Sequence, residues 1–383
     1  MPTTSFWFNF TLFVNTSPWL TASSTCEYLL YQVTRHSIAA TTAYTTCVQP
    51  ALPCNLNFLY RDSTIVYLTT NCNKKIIIDT DPGIDDAQAI LMALGKDSSV
   101  DVVAITTVQG NAPVMNTSLN TLRLLKVANR QDIPVFQGCK YPLMQRAQHA
   151  QYYHGKDGLG DVPDSEAPGL DHLQKEHAVN ALIHLVNQNP GELHLVSLAP
   201  LTNIATAITL DPDFGSKLKS CYIMGGNYKG VGNISRSAEF NFYNDPEAAS
   251  IVLKKLSCPI TLITWELCED LKQPSSFFEK LLIHPGKKTA LMQKVFKNAM
   301  KQAEARQRYA VMCDELAMAA IVNDQCVLDS VELYAEVELN GSKTRGQMVP
   351  DWTNITGKPS NVQIVTKMDL NIVVDILKKC YDF

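Results

Sequence analysis

From Lys74 onward the chain alternates short, uninterrupted apolar runs with segments whose apolar residues recur at helical spacing. Ile76-Ile77-Ile78 predicts a strand buried on both faces that runs into an acidic turn, and Ala87 to Leu94 predicts the helix after it. Further strands are expected at Val102 to Thr107, Pro134 to Gln137, Leu193 to Leu198 and Cys221 to Met224, the last closed by Gly225-Gly226. Helices are expected near Leu119 to Val127, at Ala178 to Val186, from Leu201, and from Asp245-Pro246-Glu247. Continuous apolar strands separated by helices point to an α/β fold with a mainly parallel sheet covered on both faces. Ligands in such folds bind beyond the carboxyl ends of the strands, so the polar residues there are the first candidates for chemistry.

Residues 1–73 have a different texture. They are rich in Ser, Thr, aromatics and Cys and carry no acid between Glu27 and Asp62. The apolar run Phe6 to Val14 has the length of a signal-peptide core, but no basic residue precedes it and no small-residue cleavage site follows. The expectation is a poorly ordered N-terminal extension over 1–73, with targeting or a packed accessory segment as alternatives, and a catalytic domain over 74–383.

Composition narrows the class. Of 383 residues, 46% are hydrophobic and 18% charged, as in a soluble globular protein. A formal charge of −4 gives no electrostatic reason to expect nucleic acid or an anionic membrane as partner. No apolar run reaches the roughly 18 residues that would span a bilayer. The 11 cysteines include no C-x-x-C pair, which excludes the usual zinc spacings. After residue 73 they are sparse, a pattern that suits reduced, mostly buried thiols and a cytoplasmic location.

The acidic turn carries the clearest chemistry. Asp79-Thr80-Asp81-Pro82-Gly83-Ile84-Asp85-Asp86 sets four carboxylates within eight residues at a strand end and helix start. Asp85 or Asp86 can serve the helix N-terminus, which tolerates negative charge. Capping accounts for one or two acids, not four, because clustered carboxylates repel unless a cation is present. Oxygen ligands with no His or Cys pattern suit Ca²⁺ or Mg²⁺.

That turn, extended by Ala87, resembles the N-terminal signature of the nucleoside hydrolases. The likeness continues through Ile105-Thr106-Thr107-Val108-Gln109-Gly110-Asn111 and His154-Gly155-Lys156-Asp157-Gly158-Leu159-Gly160. It includes Ala199-Pro200-Leu201-Thr202-Asn203-Ile204-Ala205 and Met224-Gly225-Gly226. The last block is Ala238-Glu239-Phe240-Asn241-Phe242-Tyr243-Asn244-Asp245-Pro246-Glu247-Ala248-Ala249. The motifs stand in family order over about residues 74–383. The resemblance implies an open, doubly wound α/β domain that cleaves the N-glycosidic bond of ribonucleosides, with one Ca²⁺ per subunit and a homodimeric or homotetrameric assembly.

Carried over residue by residue, the resemblance makes Asp81, Asp86, Asp314 and the backbone carbonyl of Leu198 the metal ligands. Asp81 is also the base that takes a proton from a metal-held water. Asp85, Asn111, Asn233, Glu239 and Asn241 match ribose-binding positions, and amides and carboxylates are what hydroxyls require, each being donor and acceptor. Two have a plainer reading: Asn111 after glycine can close a turn, and Asn233 lies in a formal glycosylation sequon. Glu239 and Asn241, with one residue between them, would share a face of an extended segment and so support each other as site residues. His154 matches a histidine near the base, although a lone loop histidine is also simply a surface residue.

One departure stands out. Many relatives carry His before the last metal ligand, credited with protonating the leaving base; this chain reads Met312-Cys313-Asp314. A Cys-containing subgroup resembles this pattern, and Trp265-Glu266-Leu267-Cys268 resembles the animal branch. Cys313 is therefore a candidate acid or a packing residue. The base is expected near Tyr152-Tyr153-His154 and a helix carrying Arg306, Arg308 and Tyr309. Two rival functions remain. Asp79-Thr80-Asp81 fits the DxD of haloacid dehalogenase-type phosphohydrolases, though the residues after it do not. A ribose- or nucleoside-binding protein without turnover is the other.

Overall fold

The computed structural model describes residues 56–61, 64–69 and 73–381 except 145, 275 and 306–308, with backbone alone for 56–69 and 298–305. The Phe6–Val14 run and the rest of the extension before Leu56, together with Arg306 and Arg308, lie outside the described residues. Within the extension, β1 (Leu56–Arg61) and β2 (Thr64–Thr69) pair antiparallel, Leu56 opposite Thr69 and Arg61 opposite Thr64.

Residues 73–383 form a unit of their own. Its strands are β3 (Lys74–Thr80), β4 (Val100–Thr107), β5 (Val135–Gln137), β6 (His194–Ser197), β7 (Ser220–Met224), β8 (Ile260–Ile263), β9 (Val327–Leu333), β10 (Ala335–Val337), β11 (Met348–Pro350) and β12 (Val362–Met368). Eight of them make one sheet in the order β5-β4-β3-β6-β7-β8-β12-β9, while β10 and β11 pair separately. Seven run parallel; only β9 is antiparallel, against β12. Parallel strands need crossovers, and the helices that supply them cover both faces.

The two faces explain the apolar runs. In β3, Ile76 and Ile78 enter one core and Ile77 the other, so all three are buried. The first core takes the helices Ile84–Ala93, Asp314–Val322 and Leu370–Cys380. The second takes Ala178–Gln188, Thr202–Leu210 and Pro246–Lys255. A strand buried on both sides loses the period-2 alternation that a half-exposed strand shows. The strands and helices expected between residues 76 and 247 are all present, with ends moved by a few residues.

Strand order reverses between β3 and β6. From β3 the chain adds strands outward through β4 to β5, then returns to the other side of β3 with β6 and continues through β7 and β8. That switch point leaves a crevice at the carboxyl ends of β3 and β6. The acidic turn follows β3, and Leu198 follows β6.

Removing residues 1–73 is expected to leave a folded unit, because every strand of the large sheet begins at Lys74 or later. A thermal melt of the truncated chain checks this. A midpoint about 10 °C lower, several kcal/mol at this size, would make the extension part of the core.

Candidate active site at the strand switch point

The turn after β3 is built around its own carboxylates. Gly83 precedes the helix Ile84–Ala93, and Asp86, in its first turn, accepts the Gly83 N–H at 2.9 Å. The other Asp86 oxygen accepts the Thr80 hydroxyl at 2.5 Å. Asp81 Oδ2 accepts the Asn111 N–H at 2.6 Å, and the Asn111 side-chain amide donates to Asp86 Oδ2 at 3.0 Å. Asn111 thus ties the turn after β4 to the turn after β3. Its approach explains the glycine before it: a Cβ on Gly110 would run into the Asp81 carboxylate. Asp79 is held by Thr106 at 2.6 Å and by Asn203 at 2.8 Å, and Asn203 also accepts the Cys139 N–H at 2.9 Å.

Among the described residues, no cation pairs with these buried acids. Asp79, Asp81, Asp86 and Asp314 are inaccessible or nearly so. Burial, and then the negative Asp86, hold the Asp81 carboxyl well above the usual carboxylate range. Burial followed by Asp86 and Asp85 does the same to Asp314. Burial also lifts Asp79 and Asp85 to about 6. Asp85, Asp86 and Asp314 each bring a carboxylate oxygen within 4.8 Å of the others. Asp81 stands beside that close set, with Oδ1 buried and lacking any hydrogen-bond partner. A cluster of hard oxygens with an orphaned carboxylate oxygen is the chemistry of a divalent-cation site. Asp86 is also a helix-cap residue, so the capping reading of the acidic turn holds for that one acid.

His154 does not neutralise the cluster. Its Nδ1 accepts the Ile84 N–H at 3.0 Å, which leaves the ring proton on Nε2. Burial pushes its pKa down to about 4, so the imidazole is neutral at pH 7 despite lying 3.9 Å from Asp85. It is a buried wall residue rather than an exposed loop histidine.

On the other side of the crevice, Glu239 caps the short helix Phe240–Asn244. It accepts the Asn241 and Phe242 N–H groups at 2.7 and 3.1 Å and the Gly226 N–H at 2.9 Å. Burial raises its pKa to about 7. Glu239 and Asn241 therefore meet across a helix cap, not along one face of an extended segment. The Asn241 amide donates to the Leu198 carbonyl at 3.0 Å and the Met224 carbonyl at 3.1 Å. A carbonyl has two lone pairs, so Leu198 keeps one for a cation.

A cavity of about 550 Å³ opens over this floor, of a size that holds a small organic ligand. Asp85, Asn111, His154, Leu198, Asn233, Glu239, Asn241, Cys313 and Asp314 all line it, while Asp81 and Asp86 lie fully buried beneath. The eleven residues chosen from sequence thus surround one crevice. Asn233 is exposed on its rim. Tyr152, Tyr153 and Tyr309 form part of the outer wall, but Tyr309 follows the helix Lys287–Ala305 rather than belonging to it. Ala310, next to it, is bridged instead to Gln273.

Trp265, Val231, Glu269 and Lys272 also line the cavity and were not singled out as site residues. Trp265 could have been, because it follows β8 at the carboxyl edge; the other three carry no sequence signal. The Cys313 thiol lies beside Cys268, whose own thiol donates to the Thr264 carbonyl at 3.3 Å. Interaction with Cys268, and then burial, raise the Cys313 pKa well above the usual thiol value.

Residues 76–375 match the family model described as inosine-uridine preferring nucleoside hydrolase. The chain belongs to this family. It is 33% identical to the inosine-uridine preferring nucleoside hydrolase of Leishmania major over 316 residues, covering 81% of this chain and 99% of that one. It is 30% identical to a pyrimidine-specific ribonucleoside hydrolase of Escherichia coli over 309 residues, 80% and 96% of the two chains. Among solved structures, an inosine-guanosine nucleoside hydrolase superposes with a TM-score of 0.74 at 31% identity, covering 81% of this chain and 98% of that one. A plant nucleoside hydrolase gives the same TM-score at 30% identity, covering 81% and 99%. As a nucleoside hydrolase the chain is an N-glycosyl hydrolase, and the mainly parallel sheet is the architecture its relatives share. Among the described residues no helix is long and apolar enough to cross a membrane.

Proposed function

We propose that this nucleoside hydrolase cleaves ribonucleosides to free base and ribose with Ca²⁺ as its metal and Asp81 as general base. The observation that carries the reading is the partnerless Asp81 Oδ1 in a buried cluster of carboxylates beneath a cavity lined by Asn, Asp and Glu. Asp81, Asp86, Asp314 and the Leu198 carbonyl would hold the ion, and Asp85, the more exposed acid, faces the cavity. A bound Ca²⁺ would orient water and lower its pKa.

Asp81 then takes the proton of the attacking water at Oδ1, while its other oxygen is fixed by the Asn111 N–H. Breaking the C1′–N bond builds oxocarbenium-like positive charge on the ribose, which a ring of carboxylates stabilises. Asp85, Asn111, Asn233, Glu239 and Asn241 supply donors and acceptors for the sugar hydroxyls. His154 presents a neutral N–H to the ligand, so it orients rather than acts as a strong acid. The names of the relatives differ in base preference, and Tyr152, Tyr309 and Trp265 offer flat surfaces on which either purines or pyrimidines can stack.

The two rival functions are separated by their products. Phosphate release from sugar phosphates would indicate the phosphohydrolase, and ribose binding without any reducing sugar would indicate a binding protein.

Cys313 is tested through the leaving group. Cys313 packs against the first apolar core beside Cys268, which supports a packing role. Cys313→Ala is expected to slow a natural nucleoside and p-nitrophenyl riboside alike, by less than about tenfold, because general acid catalysis is worth about 10²–10⁴ when a proton is delivered. Selective loss on the nucleoside, whose base needs that proton, would instead make the thiol the leaving-group acid.

A further inference from the structure

Glu266 lies outside the reacting cluster and is buried, one residue into the helix Trp265–Asp270 that follows β8. Its carboxylate accepts three backbone N–H groups: Oε2 from Tyr228 at 2.9 Å, and Oε1 from Lys229 at 2.7 Å and Val231 at 3.3 Å. A buried carboxylate is costly unless such donors satisfy it. All three come from one stretch of the loop between β7 and the helix Phe240–Asn244.

That loop makes one wall of the cavity, through Val231, Gly232 and Asn233. It leaves β7 at Gly226, whose N–H is held by Glu239 and whose carbonyl accepts the Trp265 N–H at 3.0 Å. Asn227 braces its interior, donating to the Val231 carbonyl at 3.0 Å and the Ser237 carbonyl at 2.6 Å. Asn233 itself is fastened by its backbone, to the Ala238 carbonyl at 3.2 Å, while its side chain is exposed. Glu266, through three amides, and Asn227, through two carbonyls, thus anchor the chain just before Asn233.

We infer that Glu266 is a positioning residue for the sugar site: by gathering the 228–231 amides it sets where the Asn233 side chain meets the ribose. This rests on the reading of Asn233 as a ribose contact. Glu266→Gln keeps the shape of the side chain but turns one acceptor into an NH₂ group facing amides that it cannot accept from.

The experiment compares Glu266→Gln, Asn233→Ala and the double variant, each as the full chain with Ca²⁺, by steady-state kinetics on uridine and by amide hydrogen exchange. Glu266→Gln is expected to lower kcat/KM about 10- to 100-fold, the scale of one or two lost hydrogen bonds to a charged group. The double variant should fall within about threefold of Asn233→Ala, because residues acting through one contact are not additive. Exchange should quicken at residues 228–231 and stay unchanged in β3 and β6.

Multiplying losses in the double variant, kcat/KM within threefold of wild type, or faster exchange throughout the sheet would each overturn the inference. If Glu266→Gln does not fold, Glu266→Asp, which keeps the charge, takes its place under the same criteria, and failure of both to fold also overturns it. A wild-type chain that leaves uridine intact would refute the proposed hydrolysis. The exchange pattern would still decide whether Glu266 positions the loop.

Discussion

Asp81→Asn is expected to reduce kcat by at least ~10³, the combined scale of a lost general base and impaired metal assistance. The substitution is nearly isosteric. Its amide oxygen can still accept the Asn111 N–H that Asp81 Oδ2 accepts now, so the turn after β3 keeps its tie to the turn after β4. What disappears is the negative charge and the proton acceptor at Oδ1, the atom without a partner. Removing one of several mutually repelling buried acids is not expected to weaken the fold of the cation-free protein, since Asp81 is itself opposed by Asp86, Asp85 and Asp79. The variant should melt no lower than wild type in chelator and be nearly inactive in Ca²⁺. Turnover above a tenth of wild type would remove Asp81 from both proposed roles.

Chelation should have the second-largest effect, and its dependence on pH follows from the same burial. Stripping divalent cations with EDTA is expected to lower turnover by at least ~10², with recovery on adding Ca²⁺. Burial raises the folded-state pKa of Asp79 and Asp85 to about 6 and of Glu239 to about 7, and raises Asp81, Asp86, Asp245, Asp314 and Glu315 as well. A folded state that holds protons more tightly than the unfolded chain gains stability at low pH. It loses that stability as the pH rises from about 4 through the folded values.

His154 and His194, both lowered to about 4 chiefly by burial, act in the opposite sense: their contribution is full above about pH 6.5 and is lost toward pH 4. Eight acids outweigh two histidines. The cation-free protein should therefore be more stable at pH 5 than at pH 8. Calcium requires deprotonated ligands, so its stabilisation should grow over the same window. At a fixed free Ca²⁺ concentration about 100-fold above the Kd at pH 8, it should raise the melting midpoint by about 5 °C at pH 8 and by much less at pH 5, where Kd is higher. Full activity after exhaustive chelation, or a shift of the same size at both pH values, would contradict the metal assignment.

Much of the fold was legible where the chain uses it one strand at a time. Ile76-Ile77-Ile78 announces a strand buried on both faces, and the helix after Asp245-Pro246 is announced by its cap and its proline. Strand order was not legible from apolar patterning, because nothing in β6 records which side of β3 it will join. The family resemblance supplied the open, doubly wound form instead. The C-terminal third showed little apolar pattern for a related reason. After its two leading acids the helix Asp314–Val322 is apolar on every side, and it is buried throughout except its last residue, so it shows no helical period.

The site was legible where residues cluster in motifs, and not where it is assembled from single positions. Asp81, Asp86 and Asn111 come from two turns with strong patterns, whereas Val231 and Lys272 reach the cavity only through loop geometry. The spacing of Glu239 and Asn241 was misleading. Two residues apart is one face of a strand, but a carboxylate accepting the N–H two residues on is also a helix cap, and the cap prevailed.

Hydrolysis of the N-glycosidic bond in this crevice is tested by product analysis of the purified full chain with Ca²⁺ and a ribonucleoside such as uridine or inosine in phosphate-free buffer, following base and sugar together by NMR. Free base and ribose should appear in equal amounts, at a rate that falls at least ~10³-fold in Asp81→Asn. A nucleoside that binds and stays intact across a panel of purine and pyrimidine ribosides would contradict the account.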